Sequence, residues 1–118
     1  MFGWLPADSS GRVDPDDVAR AFRSDTALVS VMYGNNETGA VQPVEAIGRL
    51  CRERGVPFHV DAVQSVGKLP IDPSGWGIDL MSASAHKIRG PKGVGLLYKR
   101  KGVTLKPMLL GGGQEDGL

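Results

Sequence analysis

Apolar residues along this chain come in short runs that end in polar or small residues, and the spacing within the runs differs from one to the next. Ala27-Leu28-Val29-Ser30-Val31-Met32-Tyr33 is rich in β-branched and aromatic side chains and leads into Gly34-Asn35-Asn36-Glu37-Thr38-Gly39, which predicts a strand followed by a turn. Phe58-His59-Val60 predicts a second, shorter strand leading into Asp61-Ala62-Val63-Gln64-Ser65. Ile78-Asp79-Leu80-Met81 opens a third, buried strand that ends in Ser82-Ala83-Ser84-Ala85-His86-Lys87, and Gly90-Pro91 keeps a helix from following it directly. Val94-Gly95-Leu96-Leu97-Tyr98 reads as a fourth.

Helical spacing occupies two other stretches. Residues 43–54 carry Val44, Ile47 and Cys51 on one face with Leu50 flanking, Arg49, Arg52 and Arg54 late in the helix, and Gly55 as its stop. Residues 14–22 begin with a capping Asp14, then Pro15 at the first helical position and acids in the first turn, a plain amphipathic helix. Residues 71–77 read as a loop with one helical turn at most. Strand, helix, strand is the order of a right-handed parallel crossover, and ligands of open parallel sheets sit outside the carboxyl ends of the strands. Asn36, Asp61, Gln64 and Lys87 then share one rim.

Charge changes this picture little. Fourteen basic and 13 acidic residues leave a net charge of +1, no field for nucleic acid, and no stretch approaches the roughly 18 apolar residues of a membrane helix. Neither a nucleic-acid nor a membrane partner is expected. A single cysteine makes no internal disulfide and the start lacks a signal-peptide pattern, so a reducing, cytoplasmic setting is the expectation. Seventeen glycines in 118 residues are about twice the usual share and point to turns and close backbone approach. No repeat or linker divides the chain, which reads as at most one domain. The run Lys99-Arg100-Lys101 reads as a solvated strand end, with partner contact a distant second.

Lys87 carries the chemistry to be weighed. A lysine at the end of a buried strand can be partly desolvated, which lowers its pKa from about 10.4 and favours the neutral amine that a Schiff base needs. Lysines are also commonly plain solvated charges, Asp61 a turn former, Gln64 a surface amide and Ser84 a packing residue. A lysine, an acid and amides on one rim suit pyridoxal 5'-phosphate, whose aldehyde condenses with an amine and whose ring nitrogen stays protonated beside a carboxylate. Asp61 would be that carboxylate, with Gln64 toward the ring hydroxyl and Ser84 and His86 toward the phosphate. Cys51 shares a helix face with Val44 and Ile47 and is expected to be a buried hydrophobe, not a nucleophile. His59 is expected to be a packed or hydrogen-bonded core residue. Gly90-Pro91-Lys92-Gly93 lacks the Gly-Lys-Ser/Thr ending of a nucleotide loop and precedes a strand; no metal site is read.

Asn35-Asn36-Glu37-Thr38-Gly39, then His59-Val60-Asp61-Ala62-Val63-Gln64-Ser65-Val66-Gly67-Lys68, then Ser84-Ala85-His86-Lys87-Ile88-Arg89-Gly90-Pro91-Lys92-Gly93 closely resemble three consecutive blocks of the cysteine desulfurases, in the class V aminotransferase group of pyridoxal phosphate enzymes. The resemblance runs from about residue 28 to 113. It implies that Lys87 is the Schiff-base lysine and catalytic, Asp61 the partner of the ring nitrogen, Gln64 a contact to the ring hydroxyl, Ser84 and His86 phosphate ligands, and Asn36 a neighbour of cofactor and substrate carboxylate. Leu109-Leu110-Gly111-Gly112-Gly113-Gln114-Glu115 is similar to the family's glycine run before a stretch that reaches the partner subunit, and Met1-Phe2-Gly3-Trp4-Leu5-Pro6 resembles the strand preceding that of Asn36.

By the same resemblance the fold is α/β and three-layered, a mainly parallel sheet with helices on both faces, part of the large domain of a type I pyridoxal phosphate transferase, with the 94–98 strand antiparallel. Residues 1–118 would be a partial cofactor-binding domain, the N-terminal phosphate loop, the small C-terminal domain and the cysteine that accepts sulfur lying outside this sequence. The implied reaction takes L-cysteine to L-alanine and passes sulfur on as a persulfide, in a homodimer, with a possible sulfur-acceptor protein and a link to iron–sulfur cluster assembly. Two alternatives stand beside it: selenocysteine lyase or another class V aminotransferase, and a non-catalytic α/β fragment that binds no cofactor.

Overall fold

The computed structural model describes residues 3–106, in which two helices, one short 3-10 turn and four strands follow one another: α1 (Pro15–Ala21), β1 (Val29–Met32), α2 (Val44–Arg54), β2 (Phe58–Asp61), β3 (Leu80–Ser84), the 3-10 turn Ala85–Ile88, and β4 (Gly95–Lys99). The glycine run expected at 109–115 lies outside the described residues. Asp14 caps α1 by accepting from the Asp16 amide at 2.9 Å, with Pro15 next, as its sequence predicts. Gly55 ends α2 in the left-handed conformation at φ 65°, its amide returning to the last carbonyls.

The sheet runs β1-β2-β3-β4, with the first three strands parallel and β4 antiparallel to β3. Two-residue alternation divides it. Phe58 and Val60 are fully buried and meet Val44, Ile47 and Cys51 of α2, with Val18 of α1 joining the same cluster. Each such side chain withdrawn from water contributes about 1.5–3 kcal/mol, so this layer holds the helices on the sheet. His59 and Asp61, one residue out of phase, are only half-buried and belong to the opposite face. Both described helices lie in one layer, one of the two helical layers expected, and the described residues put no helix over the His59–Asp61 face.

Asp79 ties the end of the sheet away from the rim. Its Oδ2 accepts the Phe58 amide at 2.9 Å and its Oδ1 accepts Arg100 Nε at 2.6 Å. Its own amide donates to the Phe58 carbonyl at 2.9 Å, and Arg100 N donates to the Asp79 carbonyl at 2.8 Å. One carboxylate thus links the start of β2, the entry to β3 and the exit from β4. Arg100 is therefore not simply the solvated strand end expected from its charge run; the 99–101 run hides an ion pair because its partner lies 21 residues earlier. Asp79 likewise sits just before β3 and not within it.

Two further boundaries differ from expectation. Residues 3–6 form no strand: Trp4 is exposed and only Leu5 packs on the core, so this segment gains no ladder partner. The last strand begins at Gly95, one residue later than expected, although the Ala85 amide still donates to the Val94 carbonyl at 3.0 Å one step past the last ladder pair.

Replacing Asp79 by leucine strands the buried Phe58 amide and is expected to lower stability by about 1–3 kcal/mol, whereas Arg100→Ala, removing a half-exposed partner, costs about 0–1 kcal/mol. Urea midpoints of the two variants check this. Equal losses would show that the ion pair and not the amide bond secures the junction.

Candidate active site at the carboxyl rim of the sheet

Parallel pairing brings three strand ends side by side. Met32 is aligned with Asp61, and Asp61 with Ser82, so the segments leaving β1, β2 and β3 emerge along one edge. The ladder continues one step past the strands, the Tyr33 amide donating to the Asp61 carbonyl at 2.9 Å and the Ala62 amide to the Ser82 carbonyl at 3.0 Å. All six sequence-predicted site residues lie on this edge.

Each block has a local reason for its shape. Beyond β1, Asn35 Oδ1 accepts the amides of Glu37 and Thr38 at 2.9 Å each, an Asx turn that leaves Asn36 exposed at its tip. The first asparagine is therefore the builder and the second is available. At the end of β2, Asp61 Oδ1 accepts the Val63 amide at 3.0 Å, and its Oδ2 has no hydrogen-bond partner among the described residues. Gln64 is half-buried in the turn that follows. Ser65, next along, is fully buried with an Oγ that finds no partner among the described residues.

Beyond β3, Ser84 Oγ lies 2.7 Å from His86 Nδ1, and Lys87 sits half-buried in the 3-10 turn with no ion pair among the described residues. A single 3-10 turn thus follows β3 directly, where Gly90-Pro91 was expected to keep any helix from starting. It closes because Gly90 N donates back to the Ala85 carbonyl at 2.8 Å, and Arg89 takes a left-handed φ of 65° to turn the chain. A methyl group at Gly90 would come within 2.9 Å of Ala85 Cβ and 3.0 Å of its carbonyl oxygen, so only glycine allows the closure. The turns after β2 and β3 run close together: a methyl group added at Gly67 would lie 3.3 Å from Ile88 Cγ2. The block of Asp61 and Gln64 and the block of Lys87 are therefore neighbours along the rim.

The two groups expected to be structural prove so, by different routes. Cys51 is fully buried, and burial, reinforced by the charge of Asp79, pushes its thiol up to about 12. His59 is hydrogen-bonded on both sides, Nδ1 lying 2.8 Å from Ser30 Oγ and Nε2 2.8 Å from Ser82 Oγ, and burial lowers its pKa against the opposing pull of Asp61. Its place on the same face as Asp61 went unread in the sequence, although the alternation of Phe58, His59, Val60 and Asp61 carries that signal. Surface hollows also lie elsewhere among the described residues, around Asp8, Arg12 and Asp14 and around Tyr33, Val44 and Trp76. No group of three metal-ligating side chains occurs among the described residues, and none of their helices is long and apolar enough to cross a membrane.

Comparison with known proteins sets this rim in a family. The aminotransferase class-V profile matches residues 2–117. A mitochondrial cysteine desulfurase of Arabidopsis thaliana is 54% identical over 117 residues, 98% of this chain and 26% of that protein. The cysteine desulfurase IscS of Dictyoglomus turgidum is 49% identical over 113 residues, 96% of this chain and 29% of that protein. Among solved structures, SspA in complex with cysteine superposes with a TM-score of 0.94 at 45% identity, covering 98% of this chain and 34% of its own. A NifS-like protein does so with a TM-score of 0.92 at 46% identity, covering 98% and 32%. The chain spans between a quarter and a third of the length of these proteins.

Cys51 is expected to resist iodoacetamide at pH 8 in the folded protein and to react once urea unfolds it; modification at the rate of a free thiol would place it outside the core. Because the folded pKa of His59 lies below its ordinary value of about 6.5, the unfolded chain binds more protons just below that pH. Stability then falls as pH drops through about 6.5, and His59→Gln is expected to flatten that part of a urea-midpoint profile between pH 5 and 8.

Proposed function

This chain belongs to the aminotransferase class-V family, and on that premise we propose that it forms the cofactor-binding rim of a pyridoxal 5'-phosphate-dependent cysteine desulfurase. The single observation carrying the proposal is that an amine, Lys87, and a carboxylate, Asp61, leave adjacent parallel strands at the same edge through neighbouring turns. The donor set fits the group: Asp61 keeps one carboxylate oxygen unengaged, and the Ser84–His86 pair offers a hydroxyl and an imidazole close together.

When bound, pyridoxal 5'-phosphate supplies an electron-poor ring that takes up the electron pair left at a substrate's α-carbon. Lys87 Nζ would anchor the cofactor and, once displaced by the substrate amine, carry the α-proton. Asp61 would accept from the protonated ring nitrogen, Gln64 would face the ring hydroxyl, and Ser84 and His86 would hold the phosphate. Asn36, exposed on its turn, would stand beside the substrate carboxylate.

L-Cysteine as substrate is supported by the names of the relatives and by a structural neighbour described with cysteine. Cys51, the chain's one cysteine, is buried with its thiol at about 12, so the sulfur-accepting thiol belongs to another segment or protein. The phosphate loop and the small domain would come from the remainder of a longer polypeptide. A homodimer, a sulfur-acceptor protein, service to iron–sulfur cluster assembly and a cytoplasmic setting go with this reading, although some close relatives are named mitochondrial.

Borohydride reduction of the full-length protein with pyridoxal 5'-phosphate, followed by peptide mapping, is expected to leave the adduct on Lys87 and to lose it in Lys87→Ala. An adduct on Lys68 or Lys92, or none, would overturn the proposal. Asp61→Asn is expected to slow alanine release from cysteine by on the order of 10²-fold, the scale of losing one preorganised electrostatic partner.

A further inference from the structure

We infer that His59 is a positioning residue, a cross-strand strap that fixes where the rim groups stand. The inference rests on the reading of the rim given above. Ser30 is on β1, His59 on β2 and Ser82 on β3, so one imidazole with a 2.8 Å contact on each side spans the whole parallel part of the sheet. These bonds run between side chains on the face that no described helix covers. Among the described residues, helix packing therefore secures the strands from the α2 side, and the strap secures them from the other.

Its location gives it leverage on the site. Two residues beyond His59 on the same strand is Asp61; two residues beyond Ser82 is Ser84, which bonds His86 beside Lys87. The ladder bonds that close the rim, Tyr33 N to Asp61 O and Ala62 N to Ser82 O, lie directly beyond the strap. A neutral imidazole has one donor and one acceptor nitrogen, and serine hydroxyls rotate to serve either, so the chain can be satisfied in full. No apolar side chain of similar size reproduces two lateral bonds. A glutamine, with an amide donor and a carbonyl acceptor at its tip, reproduces them in part.

Four forms of the full-length protein test this: the parent, His59→Leu, His59→Gln, and the Ser30→Ala/Ser82→Ala double variant, which keeps the ring and removes its partners. Amide hydrogen exchange at Tyr33 and Ala62 is measured without cofactor, with urea midpoints as the control for global stability, and pyridoxal 5'-phosphate affinity is measured separately. The leucine and double-serine variants are expected to exchange about tenfold faster at both amides, the scale of one net hydrogen bond, and to bind the cofactor about tenfold more weakly. Glutamine is expected to recover most of both. Unchanged exchange in the leucine and double-serine variants overturns the strap whatever the cofactor does, as does a loss in glutamine equal to that in leucine. A parent that fails to bind the cofactor counts against the proposed function alone, because exchange at the two amides still decides the strap. A merely packing role would lower all amides and the urea midpoint together and would spare the double-serine variant.

Discussion

Register between the parallel strands is the constraint on which the rest of this molecule depends. Alternation has a period of two, so a slip of one residue would turn His59 and Asp61 into the helix-packed layer and swing Phe58 and Val60 out to water. Asp79 holds that register at one end of β2 and β3 by engaging the Phe58 backbone on both its donor and its acceptor, and Arg100 closes the arrangement from β4. The junction sits at the foot of the strands and the candidate site at their tips. Rigidity at the foot fixes the lateral order in which Asn36, Asp61 and Lys87 leave the sheet.

Much of this was legible because the signals are local. The Asp14-Pro15 start, the Gly55 stop and the spacing of Val44, Ile47 and Cys51 each depend on residues within one or two turns, and both helices form where they indicate. The three blocks that carry the candidate site residues follow apolar runs, and parallel pairing carries them to one rim. What was not legible depends on distance along the chain. Asp79 and Arg100 are 21 residues apart, and Ser30, His59 and Ser82 are drawn from three strands, so no window of sequence contains either arrangement. The 3-10 turn around Lys87 was hidden differently: Gly90 and Pro91 do forbid an α-helix, but a single tighter turn can close just before them.

The outer strand shows how the described residues relate to the longer relatives. Leu96 and Leu97 point to opposite faces of β4, yet each is about half exposed, at 54% and 52%. A strand apolar on both sides is the pattern of a sheet covered on both faces, not of a solvated edge. Val94 and Ile88 extend the same exposed apolar stretch toward the rim. This chain matches between a quarter and a third of proteins such as the Arabidopsis desulfurase and SspA, so those proteins have chain to spare for covering such a strand.

Cys51 shows how one residue type is kept from the wrong chemistry. A persulfide-forming cysteine must reach solvent or substrate as a thiolate, which needs exposure and a positive neighbourhood. Cys51 has neither, being sealed between α2 and the sheet with Asp79 as its charged neighbour, and its pKa of about 12 follows from both facts. The rim residues stand in the contrary condition, half-buried or exposed, with Asp61 and Asn36 each keeping polar atoms available after their turns are built. The same two-residue alternation that buries Phe58 and Val60 over this cysteine leaves His59 and Asp61 on the accessible side, so the sheet itself keeps an inert thiol apart from the groups that would bind a cofactor.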